Sequence, residues 1–375
     1  MRIGIDARML GNGFGIGRYV EQLLYGLDRY GTAHDYVVFL RSDNIEKFSP
    51  HHADMQKVEV DIPWYGWEEQ IKLTSILYKH QVDFVHVPHW NVPLNYQKKF
   101  IVTIHDLIMY HYPRPEASSR NVLVHKIKDI AHRRVVSHAV NASSHIITTS
   151  HFTSQDIHDT LGVDMDKMTA IYQAPFIELL KTHEDEHLVL SKYGIQKKYI
   201  LYVGACYPHK NVETLLRAWQ IFCETQGAEY ELVLVGTKNY FYDRLCSSET
   251  YGDTPHVIYT GHVSDDELKM LYAQTQLYVF PSLYEGYGLP PLEAIASHVP
   301  VVSSHASCLP EVLGEAALYF DPGSPEHIAQ TIAQVLGDRD LQMKLLQNGR
   351  ELLRHISHER FVRETIQVYE KYGSV

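Results

Sequence analysis

Short apolar, β-rich runs alternate with amphipathic stretches from one end of the chain to the other. Strands are predicted at 2–6, 36–40, 57–61, 83–87, 100–104 and 145–149, and again at 199–203, 231–235, 256–260, 276–280, 300–303 and 317–320. Each run is followed by a stretch with helical spacing, and this strand–helix alternation is the signature of parallel sheets covered by helices. Two such series predict an α/β chain of two doubly wound, Rossmann-like domains, 1–178 and 179–358, with ligands at the carboxyl ends of the strands. The boundary is expected in the polar stretch near 178–185. Residues 342–353 and 360–371 read as helices, the latter carrying Phe361, Ile366, Val368 and Tyr369, and residues 359–375 form the tail.

The 375 residues are enough for two cores, and 45% apolar with 21% charged residues describes a soluble globular protein. The net charge of −11 argues against a nucleic-acid partner, which would want a basic face. No apolar run approaches the roughly 20 residues that span a bilayer. Cys206, Cys223, Cys246 and Cys308 lack metal-ligand spacing and read as reduced thiols, so a cytoplasmic location is expected. Residues 121–140 read as a helix made basic by Lys126, Lys128, Arg133 and Arg134; it is either a helix docked on its own sheet or a peripheral seat at the inner face of a membrane.

The chemistry concentrates in Pro281-Ser282-Leu283-Tyr284-Glu285-Gly286-Tyr287-Gly288-Leu289-Pro290-Pro291-Leu292-Glu293. A buried strand ends at Pro281, Glu285 sits on the loop, and Pro290 and Pro291 suit the first turn of a helix that carries Glu293. The free N–H groups of that helix start attract an anion, and Gly286 and Gly288 let it approach the backbone. One carboxylate on each side of an anion cradle suits a nucleotide sugar. Embedded in this strand–loop–helix context, the glutamate pair resembles the E-x7-E motif of retaining glycosyltransferases of group 1 (family 4), which have the two-domain GT-B architecture. The resemblance implies that Glu285 contacts the transferred sugar, that Glu293 binds the ribose, and that Tyr287 and Leu289 line the donor site. It also implies a deep cleft between the domains and a C-terminal helix that crosses back to the first one.

Further segments carry the same resemblance. Gly204-Ala205-Cys206-Tyr207-Pro208-His209-Lys210-Asn211 follows a strand, and a lysine at such a junction meets a phosphate as a point charge. By resemblance Lys210 stabilises the leaving diphosphate; Ala205 and His209 stand where many relatives carry arginine, so His209 is a candidate donor contact. Gly11 to Tyr19 fails as a dinucleotide fingerprint. It is similar to the family's glycine-rich loop, with Gly15 and Gly17 facing the donor. His105 in Thr103-Ile104-His105-Asp106 matches the family histidine that touches the donor sugar, and Val263 lies in the loop that lines the base. His298 departs from the glycine many relatives carry.

His89, Trp90, Trp64 and Tyr110 are the candidate acceptor residues, since their rings could lie on sugars; core or rim positions are the alternative. A metal reading of His86, His89, His105 and Asp106 lacks a persuasive ligand set, the Asp-x-Asp pairs at 164–166 and 338–340 read as solvated turns, and no P-loop is present. No metal or cofactor is predicted. The resemblance implies a hexosyltransferase in cell-surface polysaccharide synthesis, acting on a glycan or lipid-linked saccharide. Its donor is expected to be GDP-mannose, because the Thr-His-Asp-Leu and Gly-Ile-Gly-Arg-Tyr segments look similar to those of bacterial mannosyl- and rhamnosyltransferases. The alternatives are a sugar-nucleotide epimerase or hydrolase of the same architecture, or a non-catalytic sugar-nucleotide or glycan-binding protein.

Overall fold

The computed structural model describes all residues except 12–14, 32, 114–121, 176–185, 228, 249, 252–253 and 374–375, with the backbone alone for 122–126 and 186–187. The boundary expected at 178–185 and residues 12–14 of the glycine-rich run lie outside the described residues. The chain divides into two units: Met1–Leu107, Ser118–Gln173 and Ile356–Val375 form the first; Ile108–Ala117 and Ala174–His355 form the second.

The first unit is a seven-stranded parallel sheet. Its strands are β1 (Arg2–Asp6), β2 (Asp35–Leu40), β3 (Met55–Glu59), β4 (Phe84–Val87), β5 (Phe100–Ile104), β6 (His145–Thr148) and β7 (Met168–Ala170), in the order β3-β2-β1-β4-β5-β6-β7. Central strands β4, β5 and β6 are buried along their whole length, as apolar runs covered on both faces must be. Helix Gly15–Tyr30 places Tyr19, Val20, Leu23, Leu24 and Leu27 in the core at helical spacing. The tail helix His358–Tyr372 lies against it through Phe361 and Val362, so closely that a Cβ on Gly26 would fall 2.0 Å from Val362 Cγ2.

The second unit holds a six-stranded parallel sheet: β8 (Lys198–Val203), β9 (Tyr230–Val235), β10 (Val257–Gly261), β11 (Leu277–Phe280), β12 (Val301–Ser304) and β13 (Ala317–Phe320), in the order β10-β9-β8-β11-β12-β13. Helices Val212–Gln226 and Pro325–Gly337 bury Leu215, Trp219, Ile328 and Ile332 in its core. Strand order reverses between β1 and β4 in one sheet and between β8 and β11 in the other. These switch points are where the carboxyl-end loops diverge and leave a crevice.

Two strands depart from the expectation by more than one residue at an end, and the helix expected at 342–353 runs Arg339–His355. Strand β7 was not expected; it is three residues long, on the sheet edge, and only Met168 is buried. The strand expected at 57–61 begins two residues earlier, because Tyr36 N donates to Asp54 O and Met55 pairs with Tyr36, while Val60 N donates to Leu40 O past the end of β3.

Candidate functional site

At the switch point of the second unit, the loop after β8 and the loop after β11 meet. Lys210 Nζ lies 2.6 Å from Glu285 Oε1, with only 18% and 9% of the two side chains exposed. Five hydrogen bonds, at Leu283, Asn211 and Glu285, set this geometry. Leu283 N donates to His209 O at 2.7 Å and joins the two loops. Asn211, with φ 60°, donates from Nδ2 to Pro281 O (3.1 Å) and Pro322 O (2.8 Å) and accepts from Thr214 Oγ1 (2.6 Å). Glu285 N donates to Ser307 Oγ at 3.0 Å. The left-handed backbone at Asn211 is one that asparagine tolerates better than most residues. Asn211 and Ser307 were not singled out from sequence, because their partners lie 70 and 22 residues away.

Gly288 caps the helix Leu289–Ala296 with φ 104°, and a Cβ there would meet Leu309 Cδ2 at 2.9 Å, so this turn needs glycine. Tyr287 is buried and its carbonyl accepts from Cys308 Sγ at 3.1 Å, which ties the Gly286–Gly288 turn to the segment after β12. Glu293 is 4% exposed and its Oε2 accepts from Tyr272 OH at 3.3 Å, a hydroxyl that also reaches Pro290 O at 3.2 Å. Burial, reinforced by the Glu293 charge, raises the Tyr278 phenol well above its ordinary pKa. Val263 is buried in the loop after β10, just before a capping box in which Ser264 and Glu267 satisfy each other's backbone N–H groups; Lys192 pairs with Glu267. His209 is 1% exposed, held with Tyr207 stacked at 5.9 Å and Tyr112 at the same distance.

In the first unit the carboxyl ends of β1, β4 and β5 carry the candidates. Gly15 and Gly17 lie in the first turn of helix Gly15–Tyr30, Gly15 exposed and Gly17 buried. His105 Nε2 lies 2.9 Å from Pro88 O, and a carbonyl only accepts, so Nε2 carries the proton. Burial pushes this ring down to about pKa 4, opposed by that hydrogen bond. At neutral pH His105 is therefore uncharged with its lone pair on Nδ1. The Tyr19 ring meets it edge-on at 4.8 Å. His86 is fully buried, 2.6 Å from Tyr369 OH through Nδ1 and 2.8 Å from Thr103 Oγ1 through Nε2, which makes it a core histidine.

Of the four acceptor candidates, His89, Trp90 and Trp64 lie in the first unit and Tyr110 in the second. His89 and Trp90 are neighbours with ring centroids 4.7 Å apart. Trp64 packs against the core of the first unit with the Arg41 guanidinium over its ring at 4.9 Å. Tyr110 lies in the short helix Ile108–His111, which belongs with the second unit. The ring on Trp90 is instead Tyr65, stacked at 5.0 Å.

Among the described residues, no group of three or more His, Cys, Asp or Glu side chains could hold a metal ion, and no helix is long and apolar enough to cross a membrane. Burial pushes the Cys206 thiol up to about 12, so it is no nucleophile at neutral pH. In the helix Val122–Ala142, Ile127 and Ile130 are exposed, whereas Val136, Ala139 and Val140 are buried.

Residues 14–174 match the family described as Glycosyltransferase Family 4, and residues 190–352 match Glycosyl transferases group 1. The chain is 30% identical over 288 residues to the O-antigen chain mannosyltransferase B of Escherichia coli, covering 76% of this chain and 73% of that one. It is 28% identical over 264 residues to the O-antigen chain mannosyltransferase RfbU of Salmonella typhimurium, covering 69% and 66%. Sucrose-phosphate synthase from Thermosynechococcus elongatus superposes with a TM-score of 0.77 at 19% identity over 99% of this chain and 98% of its own. The glycosyltransferase WaaG, involved in lipopolysaccharide biosynthesis, gives 0.72 at 14% identity over 98% and 99%. Both share the GT-B fold with this chain.

Proposed function

The chain belongs to the glycosyl transferases of group 1, family 4, and from that premise we propose that it moves a hexose, mannose first, from a nucleotide diphosphate sugar to a hydroxyl of a growing glycan or lipid-linked saccharide, with retention at the anomeric carbon and without a metal. The names of the two O-antigen mannosyltransferases support mannose as the sugar and an O-antigen-type polysaccharide as the product; GDP-mannose as donor is part of the same proposal.

The observation that carries the reading is the Lys210–Glu285 pair at the second switch point. Breaking a glycosyl–phosphate bond separates charge, with negative charge growing on the diphosphate and positive charge on the sugar ring. An ammonium and a carboxylate fixed side by side form a dipole already set against that separation, and fixed dipoles need no reorganisation as the charges develop. Lys210 and the helix start after Gly288 face the diphosphate in this reading, with His209, Gly15, Gly17, Gly286, Tyr287, Leu289 and Val263 lining the donor. Glu285 orients the sugar, neutral His105 accepts one of its hydroxyls, and Glu293 binds the ribose. His89, Trp90, Trp64 and Tyr110 are assigned to the acceptor side. Peripheral membrane contact is assigned to helix Val122–Ala142, where exposed Ile127 and Ile130 stand beside exposed Lys128, Arg133 and Arg134.

The test is release of GDP from GDP-mannose by the full chain, with and without α-mannotriose. We expect saccharide-stimulated release and a product whose anomeric proton signal shows retention. Lys210→Ala lowers the rate by about 10²–10³-fold. Equal turnover without saccharide points to the epimerase or hydrolase reading. Absence of both turnover and GDP binding overturns the proposal.

A further inference from the structure

The loop after β3 carries an aromatic ring in a conformation that nothing local favours. Tyr65 has φ 63°, a left-handed backbone that a bulky aromatic adopts only when its surroundings hold it there. Its ring stacks on Trp90 at 5.0 Å and 24°, and Trp90 is in turn flanked by the His132 ring edge-on at 4.4 Å and by His89 at 4.7 Å. Tyr65 is nevertheless 54% exposed, so its outer face is open.

What holds this arrangement lies beneath it. Tyr65 N donates to Glu69 Oε2 at 2.9 Å. The other carboxylate oxygen, Glu69 Oε1, accepts from Arg8 at 2.6 Å and from Asn91 Nδ2 at 2.5 Å. Arg8 is itself 1% exposed, clamped by Asp6 through two hydrogen bonds of 2.8 and 2.7 Å and donating to Ile62 O at 3.2 Å. This buried set ties the end of β1 (Asp6, Arg8), the loop after β3 (Ile62, Tyr65) and the loop after β4 (Asn91) to one carboxylate. Glu69 also begins a π-helical turn, Glu69–Leu73, a distortion that recurs at functional sites. Buried charges are expensive and are tolerated when fully paired, so a three-charge network under an exposed stack is a positioning device rather than a source of stability.

The chemistry of the exposed face selects its ligand. A pyranose ring has an apolar C–H face and a hydroxyl rim; an open aromatic face matches the first, and polar groups beside it match the second. His89 lies beside the stack, its ring 6.0 Å from that of Tyr65, and its buried Nδ1 has no hydrogen-bond partner among the described residues. Its ring lies 6.2 Å from that of His105, which places the stack beside the candidate sugar-contacting histidine.

We propose that Tyr65, stacked on Trp90, is a docking platform for a pyranose ring of the acceptor saccharide, and that Glu69, held by Arg8 and Asn91, is the positioning residue that fixes it. The proposal rests on the transferase reading for the word acceptor, but not for the binding itself.

The test uses the full chain and α-mannotriose, with maltotriose as the comparison sugar. Binding is followed by saturation-transfer NMR and by tryptophan fluorescence, transfer by the GDP-release assay, and GDP affinity by calorimetry. Tyr65→Ala raises the saccharide Kd and KM by about 3–12-fold, the range of one aromatic contact, with GDP affinity unchanged. Tyr65→Phe, which keeps the ring, recovers most of that loss. Glu69→Gln raises KM less, and the Tyr65→Ala/Glu69→Gln double variant is no worse than Tyr65→Ala alone, because Glu69 acts through Tyr65. If Glu69→Gln does not fold, the two Tyr65 variants decide. Wild type that binds neither saccharide, or Tyr65→Ala with unchanged Kd, overturns the platform. Wild type that binds saccharide in a Tyr65-dependent way but transfers nothing overturns the transferase reading and leaves the platform standing.

Discussion

Glu293 and Glu285 are eight positions apart, yet they sit in different surroundings. Glu285 has Lys210 for a counter-charge, whereas Glu293 is buried beside the Tyr272 hydroxyl in the second turn of helix Leu289–Ala296, whose first turn carries no acidic residue, contrary to the expectation from sequence. An ionised carboxylate accepts a hydrogen bond far better than a neutral group does. In the proposed ribose role such a bond contributes roughly 1.5–3 kcal/mol. Glu293→Ala is therefore expected to weaken GDP binding about 10–150-fold in calorimetry while leaving the saccharide affinity of the first unit alone. Unchanged GDP affinity would remove the ribose assignment.

At the scale of elements, the second switch point depends on how three loops are fastened. Asn211 is the fastener. Its side chain links the segment before helix Val212–Gln226 to the end of β11 at Pro281 and to the turn at Pro322 after β13. Losing three hydrogen bonds of this kind costs roughly 2–4 kcal/mol. Asn211→Ala should lower the urea unfolding free energy by that amount, and Asn211→Gly by less, because glycine keeps the left-handed backbone without strain. Equal losses in the two variants would show that backbone strain plays no part. Much of this level was legible in sequence: the strand ends at Pro281 and the prolines at the helix start follow from local propensity. The junction itself was not legible, because no local rule pairs Leu283 N with His209 O.

Across the molecule, buried histidines make stability depend on acid. Burial pushes His86 down to about 3, with the His105 charge adding to it; burial holds His105 at about 4; and burial, helped by Lys371 and Lys167, holds His145 at about 4. All three lie in the first unit and fall below the ordinary 6.5, so the unfolded chain binds more protons. Their contribution is whole above about pH 6.5 and is lost as pH falls toward 4, at most about 1.4 kcal/mol per pH unit for each proton. Glu267, pulled down to about 2 by Lys192 and Ser264 against its burial, loses its contribution at still lower pH, in the second unit. Urea unfolding at pH 7 and pH 5 should show a clear drop in stability at the lower pH, and His145→Phe should flatten the slope by close to one proton. A pH-independent midpoint over that range would contradict the buried, neutral state of these rings.

The sequence by itself determined the sheets, the loops at their carboxyl ends and the glutamate pair. Apolar runs of strand length can be buried only as central strands, and the glycines and prolines of residues 281–294 fix a turn and a helix start wherever they occur. It did not determine which rings meet. Trp64 and Tyr65 are adjacent and alike in composition, but one packs on the core beneath Arg41 and the other stacks on Trp90. Tertiary structure decided this, because the left-handed turn at Tyr65 is held by a carboxylate whose other partners, Arg8 and Asn91, come from the segments after β1 and β4. The Lys210–Glu285 contact likewise joins residues 75 apart, through strands that become neighbours only when the sheet forms.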